Sequence, residues 1–195
     1  INAIAGDDIV NAVEAGADLT VSGVVAGDAG AGDPVTITLG GNTYSGVVAA
    51  DNTFSVVVPA ADVAGLSDGS VAASVTGSDS AGNPFSANAG RSFAVDTDAS
   101  ATITVDAITP DDIVNAAEAG ASVNVTGSVS GDAAVGATVS FTVNGTPYTG
   151  TVQAGNVFSV AVSGADLAAD TEFEVSVSGN DAAGNPYVAT TVSTH

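Results

Sequence analysis

The sequence is almost free of positive charge. Among its 195 residues, Arg91 is the single basic side chain, while 22 residues are aspartate or glutamate, so the formal net charge is −21. Nucleic acids and anionic membrane surfaces bind proteins through lysine and arginine, so we expect neither as a partner. The acids repel one another unless bound cations or salt offset them. A solvated, halophile-like surface is the alternative to cation binding.

Several residue types that build catalytic sites are also missing. Cysteine, methionine and tryptophan are absent, and His195 is the one histidine. Without cysteine there is no disulfide framework, so a small extracellular domain needs another source of stability, and metal ions suit that role. The chain offers no Ser/His/Asp triad and no Cys/His zinc site, and its aromatic content of 5% argues against a sugar-binding cleft. We therefore predict that it is not an enzyme.

Long apolar runs are missing as well. No run of 18 apolar residues occurs, so we expect no membrane-spanning helix. Hydrophobic residues nevertheless make up 45% of the chain, which is too high for a disordered acidic tail. The sequence therefore predicts folded domains with a core.

One decapeptide occurs twice. Residues 7–16 read DDIVNAVEAG and residues 111–120 read DDIVNAAEAG, with one difference at an offset of 104 residues. A period near 100 residues is the size of a whole small domain. We therefore predict two modules, residues 1–98 and 99–195. Because the repeat is cut at both ends, we interpret the chain as a fragment of a longer one.

The two modules share a strand pattern. Valine, threonine, alanine, serine and glycine alternate with period two, and turn residues recur every 8 to 12 residues. This pattern predicts an all-β fold of two tandem immunoglobulin-like β-sandwich modules with about seven strands each. The first strand is complete only in the second module, at residues 102–108. Within the decapeptide we predict one helical turn that ends at Gly16 or Gly120.

The acidic residues are predicted to gather at the ends of the modules. In an immunoglobulin-like topology, the decapeptide and the Asp62 loop lie at the far pole, where the last strand exits. The Asp132 and Asp181 loops lie at the near pole. Calcium takes six to eight oxygen ligands, so we predict Ca²⁺ at the module junction. The candidate ligands are Asp7, Asp8, Glu14, Asp62, Asp96, Asp98, Asp111, Asp112, Glu118, Asp132, Asp166 and Asp181.

Each group of acids also has a simpler interpretation. Asp8 or Asp112 is suited to the N-cap of the helical turn, and the glutamates of the decapeptide to a solvated surface. Asp62 and Asp166 are suited to capping a second helical turn. The segment Asp-x-Ala-Gly-Asn-Pro, at residues 79–84, has the composition of an ordinary turn. What favours metal binding is the accumulation of acids without any lysine.

Three motifs together resemble a known family. They are Asp-Asp-Ile-Val-Asn-x-x-Glu-Ala-Gly, Asn-Gly-x-x-Tyr-x-Gly-x-Val and Asp-x-Ala-Gly-Asn-Pro. On these motifs the chain resembles the bacterial immunoglobulin-like tandem repeats of giant RTX adhesins, which include biofilm-forming and ice-binding adhesins. The resemblance covers nearly the whole chain. One departure is Asn2, which stands where the second module has Asp106.

The resemblance implies a stalk function. Such extender repeats are exported by type I secretion, held at the Gram-negative outer membrane and folded in extracellular calcium. Calcium stiffens their junctions, so that a distal ligand-binding domain is projected from the cell. The implied partners are neighbouring repeats of the same chain, and we expect a monomer with no direct membrane insertion. The alternative hypothesis is a directly adhesive module that binds a sugar or a protein.

Overall fold

The chain folds into two compact units. A computed structural model describes all residues, 1–195, and divides them into units 1–98 and 99–195, called here the first and second module. The elements of the first module are β1 (Ile9–Val10), α1 (Ala12–Ala15), β2 (Leu19–Val24), β3 (Pro34–Leu39), β4 (Asn42–Val47), β5 (Thr53–Val58), α2 (Ala60–Val63), β6 (Gly69–Ser78) and β7 (Pro84–Val95). Those of the second are β8 (Ala101–Val105), α3 (Ala116–Ala119), β9 (Ser122–Gly131), β10 (Thr138–Val143), β11 (Thr146–Thr151), β12 (Val157–Ser163), α4 (Gly164–Ala169), β13 (Glu172–Asn180) and β14 (Pro186–Thr194).

Each module has two sheets. In the first module the strand orders are β1-β7-β6-β3-β4 and β2-β5, and in the second they are β11-β10-β13-β14 and β12-β9-β8. All pairs are antiparallel except β1 with β7, which is parallel. The predicted fold class, an all-β immunoglobulin-like sandwich with seven strands in each module, is confirmed.

Strand alternation builds the two cores. On β3 the side chains of Val35, Ile37 and Leu39 are at most 2% exposed, while the residues between them face solvent. The equivalent strand β10 has the same pattern of burial. Because successive strand residues point to opposite faces, each strand contributes one apolar face to the space between its module's sheets.

Two-residue turns fix the register of the β3–β4 and β10–β11 hairpins. Gly40 and Gly41 have φ of 58° and 84°, and Asn144 and Gly145 have φ of 49° and 77°. Two successive positive φ angles are what a type I′ turn requires, and its twist matches that of the flanking strands. As a result β4 begins at Asn42, directly after the turn.

The modules differ at their first strand. β8 ends at Val105, short of the predicted Ile108, because the Ile108 amide instead donates to Asp112 Oδ1 at 2.9 Å. Only the first module has a strand in the decapeptide, since β1 pairs with the last residues of β7. β14 ends at Thr194, and residues 113–114 lie outside any strand.

The pairing of the strands places the acidic loops at the two ends of each module. β7 leads to the far pole, where Gly69 at the start of β6 pairs with Phe93. The β3–β4 turn, α1 and α2 lie at the same end. The loops that begin at Asp79 and Asp181 lie at the near pole of their modules. No helix in the structure is long and apolar enough to cross a membrane.

Candidate metal sites in the acidic loops

The decapeptide of each module folds as a capped helical turn. Asn11 Oδ1 accepts from the amide of Glu14 at 3.0 Å, and Glu14 Oε2 accepts from the amide of Asn11 at 3.0 Å. Asn115 and Glu118 form the same reciprocal pair, at 3.2 and 2.9 Å. This capping box satisfies amides that the start of a helix leaves without partners.

Two interpretations of the decapeptide are thereby corrected. The N-caps are Asn11 and Asn115, not Asp8 and Asp112, and the glutamates are bonded to the backbone rather than merely solvated. The sequence carried the signal, because an asparagine three residues before a glutamate fits the capping-box pattern. The turns do end at Gly16 and Gly120, as predicted.

The second aspartate of each decapeptide holds its own loop. Asp8 and Asp112 have positive φ of 70° and 57°, a conformation that aspartate tolerates better than most residues. Asp8 Oδ1 accepts from the amide of Ile4 at 3.0 Å, and Asp112 makes the equivalent bond to Ile108. Each carboxylate therefore closes a tight loop ahead of the helical turn.

Asp8 is also half of the single ion pair. The Arg91 guanidinium donates through Nε and Nη2 to both oxygens of Asp8, and the two side chains are about one-third exposed. The hydrogen bonds from Arg91, followed by the one from the Ile4 amide, lower the pKa of Asp8 from 3.8 to about 2. The same contact raises the pKa of Arg91. Sequence reasoning missed this pair, because 83 residues separate its partners.

The first aspartate of each decapeptide has local partners. Asp7 Oδ1 accepts from the amide of Ile9 at 3.0 Å. Asp111 Oδ1 accepts from the Thr109 hydroxyl at 3.0 Å, and from the amide of Ile113 at 3.4 Å. Both side chains remain exposed, so each has a solvent-facing oxygen beside its local bond.

Asp62 and Asp166 accept hydrogen bonds from tyrosines instead of capping their helices. The Tyr44 hydroxyl donates to Asp62 Oδ2 at 3.0 Å, and the Tyr148 hydroxyl donates to Asp166 Oδ2 at 2.6 Å. Neither α2 nor α4 has a side-chain cap, so the capping interpretation is wrong.

The tyrosine contacts shift the pKa of three of these groups. Burial, followed by the bond to Asp62, raises the pKa of Tyr44, whereas for Tyr148 the bond to Asp166 is the main cause of the increase. Hydrogen bonds from Tyr148 and then Asn144 lower the pKa of Asp166. The tyrosine rings meanwhile pack against the two cores.

At the near pole, the aspartates close turns. Asp181 Oδ1 and Oδ2 accept from the backbone and side-chain nitrogens of Asn185 at 2.8 and 2.9 Å, which lowers the pKa of Asp181. Asp132 and Ser100 exchange two bonds of 2.7 Å, from the Ser100 amide to the carboxylate and from the Asp132 amide to the Ser100 carbonyl. The bonds between Asp181 and Asn185 are those of an ordinary turn, as the simpler interpretation of Asp-x-Ala-Gly-Asn-Pro predicts.

The residues that link the modules carry two exposed acids. Asp96 and Asp98 are both exposed, and the Asp96 amide donates to the Val10 carbonyl at 3.0 Å. That bond continues the pairing of β1 with β7 by one residue and fixes the backbone just before Asp98.

The acids do not form a calcium cage within a module. No group of three or more histidine, cysteine, aspartate or glutamate side chains lies close enough together to hold a metal ion. Calcium requires six to eight oxygens, several of them usually carboxylate. As placed, the carboxylates of a single module do not fit the ion.

The fold and its loops define a class of protein, a tandem array of immunoglobulin-like sandwich modules with acidic poles. Comparison with solved structures gives close matches of that class. A structure of a 1.5-MDa bacterial ice-binding adhesin, from work on its cell-surface retention, is 47% identical over 100% of this chain and 62% of its own, with a TM-score of 0.91. A Ca²⁺-stabilized adhesin with which an Antarctic bacterium binds ice is 45% identical over 100% of this chain and 47% of its own, with a TM-score of 0.82.

The chain belongs to the bacterial immunoglobulin-like tandem repeats of RTX adhesins. A single immunoglobulin-like domain from the M. primoryensis ice-binding adhesin is 49% identical over 50% of this chain and 97% of its own, with a TM-score of 0.49. The chain spans less than two thirds of the two longer structures. Comparison with protein-family models and with curated proteins gives no match.

Proposed function

We propose that this chain is a segment of the stalk of a bacterial cell-surface adhesin, and that it extends and spaces a binding domain located elsewhere in the parent protein. The observation that carries the proposal is the 47% identity across both modules to a segment of a giant ice-binding adhesin. Two sandwich modules in tandem, without a catalytic constellation, suit a spacer. The location follows from the role, outside the cell and attached to its surface.

We further propose that calcium stiffens the segment at the module junction. The excess of 22 acids over one base supports this, as does the Ca²⁺ stabilization of a 45%-identical adhesin. The carboxylates of one module do not suffice, so the exposed linker acids Asp96 and Asp98 are the first candidates to complete a ligand set. The remaining candidate acids belong to the proposal as possible contributors.

Calcium dependence also suits export. In a cytosol poor in calcium, repulsion among the acids disfavours the folded state, and an unfolded chain is the form that type I secretion carries. Outside the cell, a cation that binds only the folded state stabilises it by mass action. Folding after export is therefore part of the proposal.

The test is small-angle X-ray scattering of the chain in a few millimolar calcium and then in excess EDTA. We expect the maximum dimension to fall, or its distribution to broaden, when calcium is removed. The variant Asp96→Asn/Asp98→Asn should show the EDTA profile in both buffers. Glu172→Gln/Glu174→Gln removes the same charge from exposed positions on β13 and should behave like the parent chain.

The stiffening would be refuted if EDTA left the scattering profile unchanged and calorimetry detected no binding of calcium to the chain. The stalk role would then rest on the fold and the relatives alone. Direct adhesion to a sugar or a protein would become the hypothesis to pursue.

A further inference from the structure

The second module has two carboxylates where the first module has an ion pair. In the first module the Arg91 guanidinium donates to both oxygens of Asp8, and its Nη1 donates to the Ile1 carbonyl at 3.3 Å. The second module has Ser193 in place of the arginine and so has no base there. All the compared positions are present in both modules, as the pairs Ile1 and Val105, Asn2 and Asp106, Asp8 and Asp112, and Arg91 and Ser193.

A pocket of about 370 Å³ lies at this place in the second module. Asp106 and Asp112 both line it, together with Val105 and Ser193, and no basic side chain contributes to it. Val105 ends β8, and Ser193 lies on β14, which packs against β8. The pocket therefore has two negative charges and no positive charge from the chain to balance them.

The groups that line the pocket keep acceptors that the chain does not use. Asp106 Oδ2 accepts from the Thr126 hydroxyl at 2.8 Å, and its Oδ1 has no partner. Asp112 Oδ1 accepts from the Ile108 amide at 2.9 Å, and its Oδ2 has no partner. The Ser193 side chain is only 7% exposed, and its hydroxyl makes no hydrogen bond within the chain. Because a desolvated polar group without a partner costs free energy, the pocket favours a ligand that donates hydrogen bonds.

A guanidinium group suits these acceptors better than a metal ion does. It is planar and has five N–H donors, so it can give two bonds to one carboxylate and others to nearby oxygens. Arg91 does this in the first module, where it bonds a carboxylate and a backbone carbonyl together. Calcium requires six to eight oxygens, whereas no group of three or more acidic side chains lies close together in either module. The first module thus shows which cation the equivalent loop accepts.

We propose that this pocket of the second module binds a guanidinium group from outside the chain, as an arginine side chain of a partner protein presents it. Asp112 accepts two bonds and the Val105 carbonyl a third, as their counterparts do in the first module. Asp106 adds a second negative charge, and Ser193 leaves the space that an arginine at its position would fill. The single arginine of the chain is already held within its own module, so the ligand comes from another molecule.

The experiment titrates the intact chain with N-acetyl-arginine methylamide, whose guanidinium is its only charge, in buffer that contains EDTA. The backbone amides are followed by two-dimensional NMR. The amides of Ile108 and Ser193 should shift, with a dissociation constant on the order of 1 mM, because a small ligand in an open pocket makes few contacts. The Ile4 amide should not shift, since Arg91 already occupies the equivalent place in the first module.

Two matched ligands test the chemistry of recognition. The citrulline derivative has the same length but no charge, and it should cause no shift. The lysine derivative has a point charge without the planar fork, so it should bind at least about threefold more weakly than the arginine derivative.

Three variants test whether the ligand binds in this pocket. Ser193→Arg supplies the guanidinium from β14, so the Ile108 amide should shift without ligand and respond no further to it. Thr190→Arg adds the same charge at an exposed position of β14 and should leave binding unchanged. Asp106→Asn, which introduces the residue of the first module, should weaken binding about twofold to fivefold, as expected for the loss of one exposed charge.

The first module permits the reverse experiment. Arg91→Ser removes the guanidinium from Asp8, so N-acetyl-arginine methylamide should then shift the Ile4 amide as well. Binding there should be weaker than in the second module, because Asn2 stands where the second module has a carboxylate.

Three results would overturn the proposal. One is an absence of shifts at Ile108 and Ser193 well above the expected dissociation constant. Another is equal binding of the arginine and lysine derivatives. The third is calcium that binds this pocket more tightly than the arginine derivative does, which would make it a metal site. Because the titration is made in EDTA, a failure to bind arginine leaves the calcium-dependent stiffening of the chain unaffected.

Discussion

Single residues make the two modules electrostatically different despite their shared decapeptide. Asp8 and Asp112 make the same backbone bond, but Arg91 stands beside Asp8, and the second module has Ser193 at the matching position. The arginine draws the pKa of Asp8 down to about 2. The single base of the chain is therefore used to hold the first module's acidic loop against β7.

The ion pair predicts a pH-dependent contribution of Asp8. Its pKa is about 2 in the folded chain against an ordinary value of 3.8, so its contribution to stability is complete above pH 3.8 and is lost as pH falls through 2. Asp8→Asn should therefore lower the melting temperature at pH 6, and by less as the pH approaches 2. Thermal unfolding followed by circular dichroism gives the comparison.

Asp112→Asn serves as the control for this measurement, because it removes the same carboxylate charge beside the equivalent backbone bond, where there is no ion pair. The Asp8→Asn penalty at pH 6 should exceed the Asp112→Asn penalty. If the two penalties are equal at every pH, Arg91 contributes nothing measurable to the first module.

The packing of α3 against α4 leaves no room for a side chain at Gly164. A Cβ there would lie 1.9 Å from the Glu118 carbonyl oxygen, because α3 lies directly against the start of α4. Gly164→Ala should lower the free energy of unfolding of the second module by about 1–3 kcal/mol. The matching position in the first module is already Ala60, so Ala60→Gly is the control and should leave the second module's transition unchanged. Calorimetry that shows no change for Gly164→Ala would contradict this packing.

At the scale of elements, the helical turns of the decapeptides depend on their caps. α1 and α3 have four residues each, too few to be stable by propensity alone. The reciprocal Asn–Glu bonds supply part of that missing stability. The cap is therefore the main local determinant of this loop.

Asn115→Ala should lower the free energy of unfolding of the second module by about 1 kcal/mol. Asn115→Ser should restore most of it, because serine caps a helix about as well as asparagine. Chemical denaturation of the two variants and the parent chain measures both effects. A penalty that serine fails to relieve would show that the side chain acts through something other than the cap.

At the scale of the whole molecule, net charge is the dominant electrostatic property. A formal charge of −21 on 195 residues destabilises the compact state by self-repulsion, which salt screens. Raising sodium chloride from about 0.05 to about 0.5 M should increase the melting temperature, because the Debye length falls from above 10 Å to below 5 Å. In EDTA this response isolates screening from calcium binding.

The charge-reduced variant Glu172→Gln/Glu174→Gln should show a smaller salt response than the parent chain. A melting temperature that is independent of salt in EDTA would mean that repulsion among the acids is not what limits stability. If a few millimolar calcium raised the melting temperature no more than sodium chloride of the same ionic strength, calcium would act only as a screening ion.

Much of the architecture was predictable from local patterns. Period-two alternation predicted strands with one buried face, and Val35, Ile37 and Leu39 on β3 are an example, since the side-chain period of a strand is two. The Asn-Gly pair at residues 144–145 is a sequence signal for a two-residue hairpin turn, because both residues tolerate positive φ. The helical turns were predicted with their correct ends, although with the wrong N-cap residues.

The candidate site was less predictable, because carboxylate partners are set by distant residues. Asp62 and Asp166 lie on helical turns, and the sequence predicted them as metal ligands, with helix capping as the simpler alternative. The fold instead brings them to tyrosines 18 residues away on neighbouring elements. Arg91 reaches Asp8 only because β7 passes beside the decapeptide.

The sequence by itself determined the two-module organisation, the sandwich class and the family, because repeat period, alternation and motif content are properties of the order of residues. Only the tertiary structure decided which group each carboxylate binds and which acid the single arginine meets. Those features depend on strand pairing between segments far apart in the chain. Asp8 is the clearest case, since its decapeptide differs from that of Asp112 at one position, yet Asp8 is the one that pairs with Arg91.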